Sequence, residues 1–142
     1  MEYRNRWFLI GRNDYKEQIF TYGLDRMLKI ESVKKTFLTT KEFDPQTYFK
    51  NSFGITTNQL LAQEVVLSFS IFQGKYIKTQ PLHDSQIILK DDAKEFRISL
   101  NIIISYEFIM QLLSYGKEVK VIKPALLKNK VKAILKEALN NY

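Results

Sequence analysis

Five residues near the start of the chain could together hold a negatively charged or aromatic ligand. The guanidinium of Arg26 can bind a phosphate or a carboxylate through two parallel hydrogen bonds. Trp7 and Phe8 carry rings on which a nucleic-acid base could stack, a contact worth about 1–3 kcal/mol per base. Tyr22 adds a hydroxyl group and Arg6 adds a second cation. We therefore take these five residues as candidate ligand-binding residues.

Two of these candidates have a structural alternative that the sequence leaves open. Arg26 could simply pair with the neighbouring carboxylate of Asp25 on the protein surface. Trp7 could be a core residue, because aromatic rings on strands are more often buried than turned towards a ligand.

His83 is the chain's one histidine and our sixth candidate residue. A catalytic histidine needs a partnered nucleophile or acid, and no Ser or Cys accompanies this one at a readable spacing. It also lacks the further His or Cys donors that a zinc site requires. We therefore expect His83 to hydrogen-bond the loop before a strand that starts at Gln86, with a place on the rim of a ligand pocket as the alternative.

Basic residues outnumber acidic ones, so an anionic partner is a plausible interpretation of the composition. The net charge of +7 divides almost evenly, with 10 basic and 7 acidic residues in 1–60 and 12 and 8 in 61–142. Lys128, Lys132 and Lys136 recur every four residues and share one face of a predicted helix. That face could follow a phosphate backbone, or it could be an ordinary solvated surface.

Enzyme activity finds no support in the sequence. No glycine-rich phosphate loop, no pair of carboxylates at a catalytic spacing and no metal-ligand pattern is present, so we expect no cofactor and no metal. The chain has no cysteine, which is compatible with the cytoplasm, and its longest apolar run is only four residues, Trp7-Phe8-Leu9-Ile10. We expect a cytoplasmic protein without membrane contact.

The first part of the chain predicts strands and one short helix. Residues 6–12 form a strand with two apolar faces, which predicts burial on both sides. Residues 18–24 should pair with it as an antiparallel strand, and a third strand is expected over 27–35. Asp44 followed by Pro45 predicts the start of a short helix that Gly54 ends.

The second part predicts the order strand, short helical turn, strand, strand, helix, strand. Strands are expected at 65–71, around 87–89, at 96–104 and at 118–122, and a helix is expected over 106–115. That order is the ferredoxin-like pattern. A last helix over 125–140 follows, and its predicted buried stripe consists of Leu127, Val131, Ile134, Leu135 and Ala138.

Two runs near the start resemble the WYL domain, named for a Trp-Tyr-Leu signature that here reads Trp7-Phe8-Leu9. The runs are Arg6-Trp7-Phe8-Leu9-Ile10-Gly11 and Thr21-Tyr22-Gly23-Leu24-Asp25-Arg26. The second half is similar to the C-terminal extension domain that follows WYL barrels in bacterial regulators. The motifs that carry this likeness are His83-Asp84-Ser85-Gln86 and Gly116-Lys117-Glu118-Val119-Lys120-Val121 with Pro124.

The resemblance implies an α+β chain, with partial Sm/SH3-like β-barrel strands followed by a ferredoxin-like α/β sandwich and a C-terminal helix. The domains would be a partial WYL barrel at 1–40, a helical connection and linker at 41–63, and the extension domain at 64–142. Family barrels have strands upstream of the signature strand. We therefore expect either that Met1 starts a truncated product or that the sheet is completed by another chain.

The resemblance also implies a function. WYL proteins are typically bacterial transcriptional regulators, in which a winged helix reads DNA while the barrel and its extension sense a ligand or dimerise. This chain would be the sensing and dimerisation half without the winged helix, and would bind a nucleotide or single-stranded nucleic acid as a homodimer.

The signature includes the arginine at position 26, which favours its role in ligand binding. Phe8 replaces the family's tyrosine and Phe20 replaces a frequent basic residue. The identity of the family's ligand therefore cannot be assigned to this chain. Two alternatives remain open: a protein assembly module with no small ligand, and a direct binder of single-stranded nucleic acid.

Overall fold

The computed structural model describes residues 1–13, 15, 16, 18–34, 36, 43–57 and 61–142, which form two antiparallel sheets and four helices. The first sheet has the order β1-β2-β3, with β1 at Glu2–Tyr3, β2 at Arg6–Asn13 and β3 at Gln18–Gly23. The pairing of β2 with β3 confirms the predicted hairpin. The strand β1 was not predicted.

The predicted strand over 27–35 is wrong for the residues that the structure describes, and Lys35 lies outside them. Leu24–Arg26 forms a 3₁₀ turn directly after β3, and the amide of Met27 closes it by donating to the carbonyl of Leu24. Residues 27–34 then follow without regular structure. Leu28 and Ile30 alternate as a strand would, but they are 101% and 80% exposed, so no neighbour covers that pattern.

The prediction that β2 is buried on both faces is also wrong. Phe8 and Ile10 lie on its inner face and are half-buried, whereas Trp7 and Leu9 on its outer face are 61% and 51% exposed. Trp7 is therefore not a core residue. In the described part of the chain, Tyr48 from the segment around the first helix lies beside Phe8 and donates a hydrogen bond to the carbonyl of Ile19.

The first helix, α1, spans Pro45–Phe49 and begins as the sequence predicts. The carboxylate of Asp44 accepts hydrogen bonds from the amides of Gln46 and Thr47, both at 3.1 Å. The predicted end at Gly54 is wrong, because a tight turn already follows Phe49. Gly54 serves a later turn with a φ of 79°.

The second sheet has the order β5-β6-β4-β7 with every pair antiparallel, which is the ferredoxin-like arrangement predicted from the sequence. Its elements in chain order are β4 at Gln63–Phe69, α2 at Ile71–Thr79, β5 at Ile87–Asp91, β6 at Phe96–Ile102, α3 at Tyr106–Ser114, β7 at Val119–Lys123 and α4 at Ala125–Leu139. The α2 segment is a full helix of nine residues rather than the short turn expected.

The core lies between the second sheet and its helices. The fully buried large side chains are Phe69, Phe108, Leu67, Ile98, Leu100, Ile102, Ile109, Leu112, Leu127 and Val65. The helix α2 can approach β6 closely because Gly74 has no side chain; an added Cβ would lie 2.4 Å from the Cβ of Phe96.

The predicted stripe of α4 is only partly correct. Leu127 is buried, and Val131 and Ile134 pack against the core. Leu135 and Ala138 are exposed. None of the helices in the described part of the chain combines the length and apolar character that crossing a membrane needs.

Candidate functional site

A groove of about 970 Å³ lies between the inner face of the first sheet and the segment that carries α1, a size within the range of small-molecule sites. The β2–β3 register places Phe8, Thr21 and Gly23 on the same face of the sheet. Its lining consists of Phe8, Gln18, Ile19, Phe20, Thr21, Gly23, Arg26, Tyr48, Ile55, Thr56, Thr57 and Ile103.

Arg26 reaches the groove from the 3₁₀ turn that follows β3. Its aliphatic stem lies over Gly23, where an added Cβ would be 3.7 Å from the Cγ and Cδ atoms of Arg26. Among the described residues, the carboxylate of Asp25 forms its ion pair with Arg6, at 3.9 Å between exposed side chains. A guanidinium in the wall of a groove is suited to hold a phosphate or a carboxylate.

Thr21 gives the groove a polar group in its otherwise apolar strand face. Its Oγ1 is buried and has no hydrogen-bond partner within the part of the chain that the structure describes. A buried hydroxyl without a partner is costly.

The opposite wall is held in place by hydrogen bonds to the first sheet and to the second. The hydroxyl of Tyr48 donates to the carbonyl of Ile19 at 3.3 Å and accepts from Oγ1 of Thr57 at 2.7 Å. The carbonyl of Asn51 accepts from the amide of Ile103, directly after β6, at 2.8 Å. Since Ile103 also lines the groove, a ligand there would contact both halves of the chain.

Comparison with known proteins identifies the second half. The WCX domain matches residues 61–139, which is more than half of the 142 residues. This chain belongs to the WCX domain family. The match confirms the prediction of a WYL C-terminal extension domain over the second half of the chain.

Two further comparisons complete this result. Among solved structures, Proteasome accessory factor B/C (PafBC) of Arthrobacter aurescens is 22% identical with a TM-score of 0.36, over 89% of this chain and 19% of that one. The chain therefore spans about a fifth of the length of PafBC. No curated protein matches it.

The structure brings two of the six candidate residues together. Phe8 and Arg26 line the groove beside the WCX domain. Trp7 and Tyr22 lie on the outer face of the first sheet, where the Tyr22 hydroxyl accepts from Nδ2 of Asn13 at 3.3 Å. Arg6 does not line the groove, since it lies at the pairing of β1 with β2.

His83 lies in the WCX domain, in the wall of a second groove of about 990 Å³ next to α1. Its Nδ1 accepts from the amide of Ser85 at 3.1 Å, and Oγ of Ser85 in turn accepts from the amide of Asn101 at 2.9 Å. Burial lowers the pKa of His83, although Asp84 and a hydrogen bond to the backbone of Ser52 act in the opposite direction. These bonds hold the loop before β5 against β6.

Sequence reasoning missed Thr21, Tyr48 and Ile103 as groove residues. The signal for Thr21 was available, because it alternates with Phe20 and Tyr22 and must share a face with Phe8 once the strands pair in this register. Tyr48 and Ile103 carried no such signal, since only the docking of α1 between the two sheets brings them to the groove.

Proposed function

We propose that this chain is the ligand-sensing and dimerisation module of a WYL-type bacterial transcriptional regulator that acts in the cytoplasm. Membership of the WCX family supports the regulator assignment. The single observation that carries the sensing role is the groove in which Arg26 and Phe8 face Ile103 of the WCX domain. The ligand we propose is nucleotide-like or a nucleic-acid strand, because the groove combines a cation, an aromatic ring and a hydroxyl.

The mechanism follows from the two sides of the groove. A ligand held by Arg26, in the turn that follows the first sheet, and by Ile103 on the WCX domain would stabilise one arrangement of the first sheet and the WCX domain relative to the others. It shifts the population only by its difference in affinity between those arrangements. The shifted population is then presented to the rest of the regulator or to its partner.

Titration of two fluorescein-labelled probes, an adenine nucleotide and a ten-residue oligothymidylate, tests this proposal. Arg26→Ala should weaken binding by about tenfold to a hundredfold, since a charge-assisted hydrogen bond contributes about 1.5–3 kcal/mol. Arg12→Ala is the matched control: it removes the same charge from an exposed position of β2 outside the groove, and should change affinity little.

Equal weakening by both substitutions would contradict the groove, because it would indicate nonspecific charge attraction. If neither probe binds the unaltered chain at low salt, the sensing role fails and an assembly module without a small ligand is the better interpretation.

A second function is favoured by the distribution of charge. Residues 116–142 contain 7 lysines and 2 glutamates, a net charge of +5, so the other 115 residues carry only +2 of the total of +7. Lys128, Lys132 and Lys136 are exposed along α4. Direct binding of single-stranded nucleic acid would use this surface. In the same titration, this binding would be unchanged by Arg26→Ala. The logarithm of its association constant would fall with the logarithm of the salt concentration, with a slope of about −0.7 per phosphate contacted.

A further inference from the structure

The WCX sheet has one edge strand whose side chains are all uncovered. β5 is the outermost strand next to β6, and each of its five residues is exposed. Ile87, Ile88 and Leu89 are 62%, 47% and 51% exposed. An edge strand presents backbone donors and acceptors that another strand can pair with.

The opposite edge of the sheet is protected in a way that β5 is not. On β7 the exposed positions are the lysines Lys120 and Lys123, which discourage pairing with another strand. On β5 the charged residues, Lys90 and Asp91, lie only at its C-terminal end. The register with β6 is irregular between Ile88 and Lys90, around the central residue Leu89, and Lys90 is held by Asp92 at 3.1 Å and by Glu95 at 3.0 Å.

The three apolar residues lie on both faces of the sheet. Ile88 is opposite Ile98 of β6, on the face that the helices cover, whereas Ile87 is opposite Ser99 on the open face. A solvated edge strand normally places polar side chains on its open face, so apolar groups on both sides favour a neighbouring strand over water.

We propose that β5 pairs antiparallel with β5 of a second copy of this chain, about a two-fold axis at Ile88. Ile88 then faces its own equivalent and Ile87 faces Leu89, so every apolar residue meets an apolar residue. A pairing centred on Leu89 would place Ile88 opposite Lys90 and Ile87 opposite Asp91. A pairing centred on Ile87 would place Leu89 opposite Ser85. The Ile88 register is therefore the self-complementary one.

This inference names the contact surface of the homodimer in the proposed function and rests on that part of it. It does not depend on the ligand groove, because β5 and the groove share no residue. Pairing would join the two four-stranded sheets into one sheet of eight strands.

Single cysteine variants test the register directly, because the chain has no cysteine of its own. At the two-fold axis, the Cα atoms of Ile88 and its equivalent would be about 4.5–5.5 Å apart, within the range that a disulfide spans. Ile88→Cys should therefore form a disulfide-linked dimer under mild oxidation, measured on a non-reducing gel. Ile87→Cys is the matched control, since its equivalents would lie about 8 Å apart, too far for a disulfide.

We expect at least a fivefold larger cross-linked fraction for Ile88→Cys than for Ile87→Cys, and a dimer by light scattering for the unaltered chain. Ile88→Lys should be monomeric with an unchanged circular dichroism spectrum. Equal cross-linking of the two cysteine variants overturns the register, and a dimer that persists in Ile88→Lys overturns the surface.

The outcomes also separate this inference from the rest of the proposed function. A dimer without cross-linking of Ile88→Cys refutes the β5 edge and leaves the homodimer standing, whereas a monomer refutes both. Loss of probe binding in Arg26→Ala with cross-linking of Ile88→Cys unchanged is the result expected if both proposals hold.

Discussion

The two sheets differ in how much of their own apolar surface they cover. Within the described residues, every buried apolar side chain lies between Val65 and Leu127, around the WCX sheet. No described residue of the first sheet is buried, and Trp7 and Leu9 are largely exposed. A small sheet without a core is marginally stable alone, so the first sheet must gain its stability from what it contacts.

Two of those contacts are polar and join the start of the sheet to the WCX domain. The hydroxyl of Tyr3 donates to Oε1 of Glu107 at the start of α3, at 2.5 Å, and Arg4 forms an ion pair with the same carboxylate at 3.7 Å. Burial, followed by the bond to Glu107, raises the pKa of Tyr3. The carboxylate of Glu107 in the WCX domain thus holds the start of the first sheet, which has no buried core of its own.

The largest expected effect separates the two sheets by stability. Phe108 is fully buried, 5.2 Å from the ring of Phe53 between centroids. Phe108→Ala should lower the free energy of unfolding by about 3–5 kcal/mol through lost burial and a cavity, as measured by urea unfolding. Trp7→Ala removes a larger side chain from an exposed position and should cost less than about 1 kcal/mol. A similar cost for both would mean that the outer face of the first sheet is covered in solution.

A smaller effect should come from the junction of the two sheets. Gly54 has a φ of 79°, and an added Cβ would clash with the carboxylate of Glu107. Moving the carboxylate away disturbs its contacts with Tyr3 and Arg4. Gly54→Ala should therefore lower the free energy of unfolding by more than about 1–2 kcal/mol, which is the cost of placing alanine in a left-handed conformation. It should also speed hydrogen exchange in β1 and β2.

Gly116→Ala controls for the backbone term in that experiment. Gly116 also has a positive φ, of 54°, but nothing lies within 4 Å of an added Cβ. It should show the backbone cost alone, with exchange in β1 and β2 unchanged. If the two variants behave alike, the contact of Glu107 does not anchor the first sheet.

The smallest expected effect is confined to the open face of the WCX sheet. Hydrogen bonds from Ser68, Lys90 and Arg97 lower the pKa of Glu95 to about 2. Because the folded pKa is below the unfolded value of about 4.5, the carboxylate stabilises the fold fully above pH 4.5, and this contribution is lost as the pH falls through about 2. Glu95→Gln should therefore unfold at lower urea than the unaltered chain at pH 6, and the difference should shrink at pH 3.

Ser68→Ala sharpens this test, because the Ser68 hydroxyl is the largest cause of the low pKa. Its loss of stability on acidification should be smaller than in the unaltered chain and should end at a higher pH, because the folded pKa of Glu95 then lies closer to the unfolded value. A difference between Glu95→Gln and the unaltered chain that stays constant from pH 6 to pH 3 would refute the assignment. Hydrogen exchange in β1–β3 should not change in either variant.

The sequence predicts the WCX half well because each element there carries its own signal. Alternating apolar residues mark β4 and β6, and helix α4 starts directly after Pro124. The first sheet was predicted less well, since its strands have apolar residues on both faces and the pattern does not say which face is covered. For the same reason Trp7 was expected in the core, and Leu28 with Ile30 in a third strand.

The sequence predicted only some of the residues that line the groove. Arg26 and Phe8 were found because their types suit a ligand, but Trp7 and Tyr22 were grouped with them although the register places them on the opposite face. Tyr48 and Ile103 come from distant parts of the chain, and only the tertiary contacts bring them to the groove.

Strand β6 has a consequence that joins the two proposals. The last residue of β6, Ile102, directly precedes the groove residue Ile103. Along its length β6 pairs with β4 on one side and with β5 on the other. A ligand in the groove would therefore contact the residue after β6, and a second chain bound at β5 would contact the strand that β6 holds. If a ligand in the groove bound the dimer more tightly than the monomer, ligand binding would strengthen dimerisation by the corresponding factor.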